Sequence, residues 1–435
     1  MSLTNRESGR VLIYSHDTFG LGHLRRCRAI AHSLVETRRD LSILILSGSP
    51  LIGSYGFKPR VDFVRIPGVV KLRNGSYSAR GLDISIEDAI GMREYLIRAS
   101  AESFRPHVFL VDKEPLGLQG EVERTLHALK GMGTRLVLGL RDIMDDPGKL
   151  DEEWDRKGAM PALENLYDDI WIYGREDVYN PLVGLEVPEA VNAKVTYTGY
   201  LRREVDEVGG PAVTLPAELG NDFLLVTAGG GGDGASLIDG VLRAYEQDPR
   251  LRQRAFIVTG PFLPSDLLAR YQQRAAKLPF VHLTAFVPGL ERVMRRASGV
   301  IAMGGYNTFC EILTADKPSL ILPRTEPRLE QYIRVSQMEQ LGLVQMITAD
   351  MLRDPRQLSR AIQMLTKAPP PSRRQPAGFL DGFHSINAMV AGMLPRATNE
   401  AEPAHLEDVR TAGRANRPSM PQRANRAAAN RVIAE

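Results

Sequence analysis

Short apolar runs alternate with longer amphipathic stretches through the first half of this chain. The apolar runs predict seven strands, at residues 11–14, 42–46, 61–66, 108–111, 135–138, 169–172 and 194–197. The stretches between them carry apolar residues at helical spacing and predict helices at residues 24–38, 86–104, 121–132 and 151–166. Apolar strands separated by amphipathic helices are typical of a parallel sheet covered on both faces.

The alternation stops at residues 201–220, which are rich in Glu, Gly, Pro and Val, and then begins again. The second series predicts strands at 223–227, 255–259, 280–283, 300–303 and 319–322, and helices at 235–245, 265–276, 308–313 and 329–341. The predicted fold class is therefore α/β, with two doubly wound, Rossmann-like domains that face a cleft. Ligands of such sheets bind outside the carboxyl ends of the strands.

This pattern predicts four segments along the chain. Residues 1–205 form an N-terminal α/β domain, 206–220 an interdomain linker and 221–395 a C-terminal α/β domain that ends in a helix at about 378–394. The last segment, 396–435, is rich in Ala, Arg, Asn and Pro and poor in apolar residues, so we predict a disordered tail.

Length, composition and charge narrow the class of protein. The chain has 435 residues, of which 43% are hydrophobic, enough for more than one core. Its 55 basic and 52 acidic residues give a net charge of +3, too balanced to indicate a nucleic-acid partner. The polar start of the chain predicts no signal peptide, and no apolar run reaches the length of a membrane-spanning helix.

The cysteines and one mixed segment bear on the location of the protein. Cys27 and Cys310 have neither metal-ligand spacing nor a C-x-x-C pattern, so a reduced, cytoplasmic protein without a structural zinc site is expected. Residues 69–73 mix apolar and basic side chains in a predicted exposed loop. We favour a solvated loop with a hydrophobic anchor there, and peripheral membrane contact is the alternative.

The segment 304–311, Gly-Gly-Tyr-Asn-Thr-Phe-Cys-Glu, joins a predicted strand to a predicted helix. Gly304 and Gly305 let the backbone approach a ligand closely, and the amides of the first helical turn point towards it, which predicts an anion site. Glu311 lies about one turn into the helix, where a carboxylate suits two vicinal sugar hydroxyls. The segment favours a phosphorylated sugar or nucleotide, and a tight turn with Glu311 near a helix N-terminus is the structural alternative.

A second glycine turn follows the first predicted strand, at residues 17–23. Gly20 and Gly22 permit a sharp strand-to-helix turn, and His23 falls at the start of the helix. A histidine in this position suits acid–base chemistry or a phosphate contact. A helix cap is the alternative, but the G-x-G-H spacing directly after a first strand favours function.

The glycine run at 229–234 also lies between a strand and a helix. No acidic residue ends the next strand, so the run does not complete a dinucleotide fingerprint. We assign its backbone amides, at Gly229 and Gly230, to a diphosphate.

Polar residues follow another strand of the second series. Arg324 is suited to neutralising a phosphate, and Glu330 and Gln331 to hydrogen-bonding a sugar. A salt-bridged surface loop is an equal alternative for this segment.

Two carboxylates follow strands of the first series, Asp112 after 108–111 and Asp142 after 135–138. We expect both to face the cleft, where such groups bind a metal, act as a base or cap a helix. For Asp145 and Asp146 we prefer the capping role.

Together, the G-x-G-H turn, the two α/β domains, the Gly-Gly-x-x-Thr-x-x-Glu segment and the later Glu-Gln helix start resemble the GT-B glycosyltransferases. Among them the chain is most similar to family 28, typified by the peptidoglycan N-acetylglucosaminyltransferase. The resemblance covers residues 10–394 and is strongest over 280–343. The Gly-His turn with Arg26 and Cys27 also resembles UDP-sugar hydrolases of nonulosonate biosynthesis. The usual His-Asp-Gln before the last donor helix is Leu-Glu-Gln here, so the resemblance names neither sugar nor acceptor.

The resemblance implies a cytoplasmic, metal-independent hexosyltransferase without a cofactor. It would move a sugar, with inversion, from a nucleotide-diphospho-sugar, with UDP the expected nucleotide, to a glycan, lipid or small-molecule acceptor. The implied base is His23 or a carboxylate of the N-terminal domain. Donor-binding residues implied by the resemblance and the strand ends are Gly229, Gly230, Gly304, Gly305, Asn307, Thr308, Glu311, Arg324, Glu330 and Gln331. The residues expected to line the N-terminal side of the cleft are Gly20, Gly22, Asp112 and Asp142.

Within this assignment Gly304, Gly305 and Thr308 hold the diphosphate, Glu311 the ribose and Gln331 the donor sugar. A UDP-sugar hydrolase, an epimerase and a non-catalytic nucleotide-sugar-binding regulator remain as alternatives.

Overall fold

A computed structural model describes residues 8–16, 22–72, 76–203, 213–230 and 232–395. Its strands, in chain order, are β1 Gly9–Ser15, β2 Leu41–Ser47, β3 Val61–Arg65, β4 Val69–Lys71, β5 Tyr77–Ala79, β6 Val108–Asp112, β7 Arg135–Arg141, β8 Asp169–Tyr173, β9 Val195–Tyr197, β10 Phe223–Thr227, β11 Arg254–Val258, β12 Val281–Thr284, β13 Gly299–Met303, β14 Ser319–Leu322 and β15 Gln345–Met346.

The helices of the described residues are α1 Gly22–Thr37, α2 Ile86–Phe104, α3 Glu123–Gly131, α4 Pro147–Lys157, α5 Ala159–Asn165, α6 Glu189–Asn192, α7 Ala235–Gln247, α8 Ser265–Ala275, α9 Leu290–Arg296, α10 Tyr306–Thr314, α11 Glu330–Gln340, α12 Ala349–Arg353, α13 Pro355–Leu365 and α14 Gly382–Met393.

The strands form two parallel sheets with the same winding. The first has the order β3-β2-β1-β6-β7-β8-β9 and the second β12-β11-β10-β13-β14-β15. In each sheet the first strand lies inside and the chain then reverses direction across it, which leaves a crevice at the carboxyl ends of the central strands. The predicted α/β class with two doubly wound sheets is confirmed.

The predicted helix at 151–166 is wrong, because two helices occupy this stretch. Gly158 separates α4 from α5 in a left-handed conformation, with φ of 61°. A glycine adopts that conformation without steric cost and ends a helix. At the other end of α4, the Asp146 side chain accepts a hydrogen bond from the N–H of Gly148 and caps the helix, as predicted.

The exposed loop predicted at 69–73 is also wrong where the structure describes it. Residues Val69–Lys71 form β4, which pairs antiparallel with β5, and Val69 is buried. Of the predicted linker 206–220, residues 206–212 lie outside the described residues, as does the predicted tail 396–435. In the part of the chain that is described, no helix is long and apolar enough to cross a bilayer.

The sequence pattern predicted neither the helices α9, α12 and α13 nor the strand β15. Helix α13 begins with Pro355 behind Asp354, whose side chain accepts from the N–H of Arg356. Its buried residues are Leu358, Ser359, Ile362 and Leu365. Helices α9 and α12 are short, with seven and five residues, and β15 is the sixth strand of the second sheet.

Aromatic side chains connect the cores of the two sheets. The Tyr200 ring stacks on Phe379, with centroids 4.7 Å apart, and on Tyr306, at 6.2 Å. Helix α14 returns to the first sheet, where Asn387 Nδ2 donates to Ser33 Oγ at 3.0 Å. The contacts of Tyr200 and of α14 thus join the two halves of the described chain.

Candidate functional site

Gly304 and Gly305 form the turn between β13 and α10. A Cβ on Gly304 would lie 2.9 Å from Val335 Cγ2, so α11 packs directly against this backbone and only glycine fits. Around a Cβ on Gly305 no described atom lies within 4 Å, and no side chain caps the first turn of α10. The first-turn amides of α10 therefore have no side-chain cap, which leaves them able to bind an anion.

The glycine loop after β10 reaches the same helix. Gly229 has φ of 65°, and a Cβ there would lie 3.8 Å from Thr308 Oγ1. A Cβ on Gly230 would lie 3.3 Å from the ring of Phe262. Helix α10 itself begins at Tyr306 rather than at the predicted residue 308. The predicted diphosphate residues of the two turns are thus neighbours.

His23 is the second residue of α1 and lies beside the carboxyl end of β6. Its Nδ1 is 2.6 Å from Asp112 Oδ2. Asp112 is buried, and both of its oxygens also accept from Arg26, Oδ1 from Nε at 2.9 Å and Oδ2 from Nη2 at 2.7 Å. The clamped carboxylate holds the imidazole through Nδ1 and leaves Nε2 as the nitrogen able to act on a ligand. Gly20, also predicted here, lies outside the described residues.

The charge states of this pair follow from burial and from Arg26. Burial lowers the pKa of His23 to about 4, and the hydrogen bond and charge of Asp112 offset only part of that effect. For Asp112 burial acts to raise the pKa, but the charge of Arg26 and the hydrogen bond to His23 outweigh it and bring the pKa to about 2. At neutral pH the pair is a neutral imidazole that donates its Nδ1–H to an ionised carboxylate.

Asn307 connects the histidine turn to α10. Its Nδ2 donates to the carbonyl oxygen of Gly22 at 2.9 Å, and its Oδ1 accepts from the Arg203 guanidinium. Gly22 directly precedes His23, and Asn307 is the second residue of α10. The imidazole and the first turn of α10 therefore lie at the same point of the crevice.

Glu311 points from α10 towards α1. Its Oε1 accepts from Arg25 Nη2 at 2.5 Å, and the residue is 6% exposed. Burial raises the pKa of Glu311, while the charges of Arg25 and Arg203 act to lower it. The carboxylate predicted for ribose hydroxyls is thus engaged by a guanidinium from a helix of the first sheet.

Arg324, Glu330 and Gln331 come together after β14. Arg324 Nη2 donates to Glu330 Oε1 at 2.6 Å, and its backbone N–H donates to Gln331 Oε1 at 3.1 Å. Arg324 Nη1 also reaches Asp233 Oδ2 in the glycine loop, at 2.9 Å. Glu330 is buried, and its Oε2 has no hydrogen-bond partner among the described residues. The predicted donor residues therefore surround one region, with ion pairs among them.

Asp142 differs from the free cleft carboxylate that the sequence suggests. Both of its oxygens accept from Arg334, from Nε at 2.8 Å and from Nη2 at 2.6 Å, and the two side chains are buried. Arg334 Nη1 also donates to the carbonyl oxygen of Gly304 at 3.0 Å. Asp142 is fully used in joining the first sheet to α11, so it is not available as a base.

Asp145 corrects a second expectation, because it does not cap α4. Its Oδ1 accepts from the N–H of Leu329 at 2.8 Å, and its Oδ2 lies 3.3 Å from Arg328 Nη1. It therefore joins the segment before α11 to the first sheet.

Sequence reasoning missed His16 and the part that Arg26 plays at the site. His16 is 5% exposed directly after β1, and its ring centroid is 5.8 Å from that of His23. Burial lowers its pKa well below the usual range. A polar residue immediately after a buried strand was the available signal for His16. The spacing of Arg26 three residues after His23, on one helix face, was the signal for the clamp on Asp112.

Residues 223–387 match the family model of the glycosyltransferase family 28 C-terminal domain. This span includes both glycine turns of the second sheet and the start of α11. No curated protein sequence matches the chain. The match confirms the resemblance to family 28 that the motifs indicated.

Solved glycosyltransferase structures resemble the whole described fold. The glycotransferase of kitacinnamycin has a TM-score of 0.59 at 15% identity, over 90% of this chain and 100% of that one. UGT2 of Phytolacca americana, complexed with UDP-2fluoro-glucose and pterostilbene, has a TM-score of 0.56 at 14% identity. The match covers 89% of this chain and 95% of that one. MurG of Acinetobacter baumannii has a TM-score of 0.53 at 12% identity, and the match covers 87% of this chain and 98% of that one. These likenesses show a GT-B fold, and with the family match they support a glycosyltransferase enzyme.

Proposed function

We propose that this chain, a GT-B protein whose C-terminal half carries a family 28 domain, transfers a sugar from a nucleotide-diphospho-sugar to an acceptor hydroxyl. UDP is the proposed nucleotide, and the cytoplasm the proposed location. The hydrogen bond between Asn307 and Gly22 carries the proposal, because it brings His23 to the first turn of α10. A base and an anion-binding helix end at one point are what sugar transfer from a diphosphate requires.

His23 is the proposed base. As the acceptor oxygen attacks the anomeric carbon, its proton passes to His23 Nε2. The bond between that carbon and the diphosphate oxygen breaks, and the electron pair leaves on the diphosphate. Attack from the face opposite the leaving group inverts the anomeric configuration. Asp112 stays ionised throughout, fixes the tautomer through Nδ1 and stabilises the imidazolium that forms.

The donor is proposed to lie along the carboxyl edge of the second sheet. The amides after Gly305 and the hydroxyl of Thr308 take the diphosphate, supported by the helix dipole of α10. Glu311 takes the ribose hydroxyls, and Gln331 and the free Oε2 of Glu330 take hydroxyls of the sugar. Amides and guanidinium groups stabilise the leaving diphosphate in this scheme, so it includes no metal ion.

The choice of UDP has support from one similar structure. The Phytolacca americana enzyme is complexed with UDP-2fluoro-glucose, and its fold covers 89% of this chain.

The proposal is tested by incubating the purified chain with UDP-, dTDP- and GDP-sugars in EDTA, and by measuring nucleotide binding and nucleotide release. Each donor is offered alone and with acceptors of three kinds: simple sugars, a glycolipid and a phenol. The expected result is tight binding of a UDP-sugar and release that depends on an acceptor. Rapid release without an acceptor makes the protein a hydrolase, and binding without release under any condition makes it a regulator. No binding of any nucleotide sugar overturns the proposal.

A further inference from the structure

Arg141 ends β7, at the carboxyl edge of the first sheet. Its Nε is buried without a hydrogen-bond partner, and the side chain forms no ion pair with any described residue. A guanidinium carries five N–H donors and stays charged, so burial without an acceptor is unfavourable. The buried Arg26 and Arg334 nearby each clamp a carboxylate with two hydrogen bonds. Arg141 alone of these three has no such partner.

The charged groups around Arg141 come from both sides of the crevice, Glu330 and Arg334 from α11 and Arg26 and Asp142 from the first sheet and its helix α1. Glu330, Arg26, Arg334 and Asp142 are the groups whose charges act on it. Both oxygens of Asp142 are taken by Arg334, and Oε1 of Glu330 is taken by Arg324. Glu330 Oε2 has no hydrogen-bond partner among the described residues, and neither carboxylate hydrogen-bonds Arg141 there.

The same contacts relate Arg141 to the glycine turn of α10. Asp142, the next residue in the chain, binds Arg334, and Arg334 Nη1 donates to the carbonyl oxygen of Gly304 at 3.0 Å. The Arg334 side chain thus joins the segment after β7 to the glycine turn before α10. Burial, followed by the charges of Arg26 and Arg334, lowers the pKa of Arg141 to about 10, while Glu330 acts to raise it. The guanidinium is therefore still a cation at neutral pH.

We propose that Arg141 binds the donor diphosphate from the first sheet, opposite the amides of α10, so that the diphosphate lies between the two. This inference rests on the proposed function. A planar guanidinium donates to two phosphate oxygens at once, which matches the donors that Arg141 leaves unused. In the reaction Arg141 stabilises the negative charge that develops on the leaving diphosphate.

The test is the affinity for UDP and for uridine, measured by calorimetry on the full chain. The variants are Arg141→Met and Arg141→Lys. Methionine keeps a long side chain without the charge, and lysine keeps the charge without the planar guanidinium that donates two hydrogen bonds at once. Arg135→Met is the matched control, because Arg135 begins the same strand and pairs with Asp169 at the opposite edge. We expect Arg141→Met to weaken UDP binding about tenfold, as for a charged hydrogen bond, and to leave uridine binding unchanged. Arg141→Lys should recover part of the loss.

The melting temperature separates this role from a structural one. Removing a half-buried cation whose Nε has no partner should leave the Tm of Arg141→Met equal to or above that of the wild type. UDP affinity within about twofold of wild type, an equal loss of uridine binding, or a lowered Tm overturns the inference. If wild-type protein binds no nucleoside diphosphate, the proposed function itself fails, which is a different outcome from UDP binding that ignores Arg141.

Discussion

Arg25 and Glu311 form an ion pair between α1 and α10, with Nη2 and Oε1 2.5 Å apart. The Arg25 side chain is 34% exposed, whereas that of Glu311 is 6% exposed. Glu311 is the carboxylate proposed for the ribose hydroxyls. A donor that uses it must therefore displace a guanidinium that already has access to solvent, and the strength of donor binding depends on that exchange.

Replacing Arg25 should consequently tighten binding. We expect Arg25→Met to lower the Kd for UDP about two- to fivefold, the equivalent of a partly exposed ion pair. The gain should disappear in the Glu311→Gln background and with 2′-deoxy-UDP, which lacks one of the hydroxyls. Arg28→Met, one turn along the same helix, serves as the control. Weaker UDP binding by Arg25→Met would mean that Arg25 itself contacts the donor.

The buried pair of Asp142 and Arg334 should dominate the stability of the junction between the sheets. Asp142→Asn leaves a buried guanidinium without its counter-charge, and we expect the free energy of unfolding to fall by about 3–5 kcal/mol. The double variant Asp142→Leu with Arg334→Met should lose less than the single one, because no charge is left unpaired. Urea unfolding followed by fluorescence measures both. A single variant as stable as wild type would contradict this account of the junction.

Activity should persist further into acid than an ordinary histidine allows. With a pKa of about 4, His23 remains neutral and able to accept a proton well below pH 6.5. We expect kcat/KM to stay level from neutral pH down to about pH 5 and to fall only below it. The measurement is a pH profile of sugar transfer, with circular dichroism confirming that the fold persists. An acid limb with an apparent pKa near 6.5 would contradict the buried environment of His23.

The same shift predicts how stability depends on pH. The pKa of His23 is lower in the folded chain than the value of about 6.5 expected after unfolding, so the unfolded chain binds more protons between about pH 4 and 6.5. Stability should therefore fall as the pH drops through this window. His23→Gln lacks this contribution, so wild type should lose stability relative to the variant between pH 7 and pH 5. An unchanged difference between the two proteins would argue against the shift.

Much of the fold follows from the sequence because strands buried on both faces leave continuous apolar runs. The residues of β10 and β14 were predicted with their final bounds, and α2 likewise. Helix α13 escaped notice because its buried residues lie behind a proline, where no strand precedes it to set the alternation. The break at Gly158 was missed because apolar spacing alone does not show a left-handed residue.

The site was predictable at the strand ends and not beyond them. Glycine turns and the residues after them, His23 and Glu311 among them, stand out locally. The partners of Glu311 and Asp142 come from distant parts of the chain, Arg25 lying 286 residues from Glu311 and Arg334 192 residues from Asp142. Pairing over such distances depends on how the two sheets meet, which local patterns do not contain.

The most direct test of the central claim compares wild type with His23→Ala on one UDP-sugar, with nucleotide binding and acceptor-dependent nucleotide release measured in the same preparation. We expect the variant to bind the donor with a Kd within about twofold of wild type and to release nucleotide about 10²- to 10⁴-fold more slowly, because it has lost only the base. His23→Ala that turns over as fast as wild type would contradict the account.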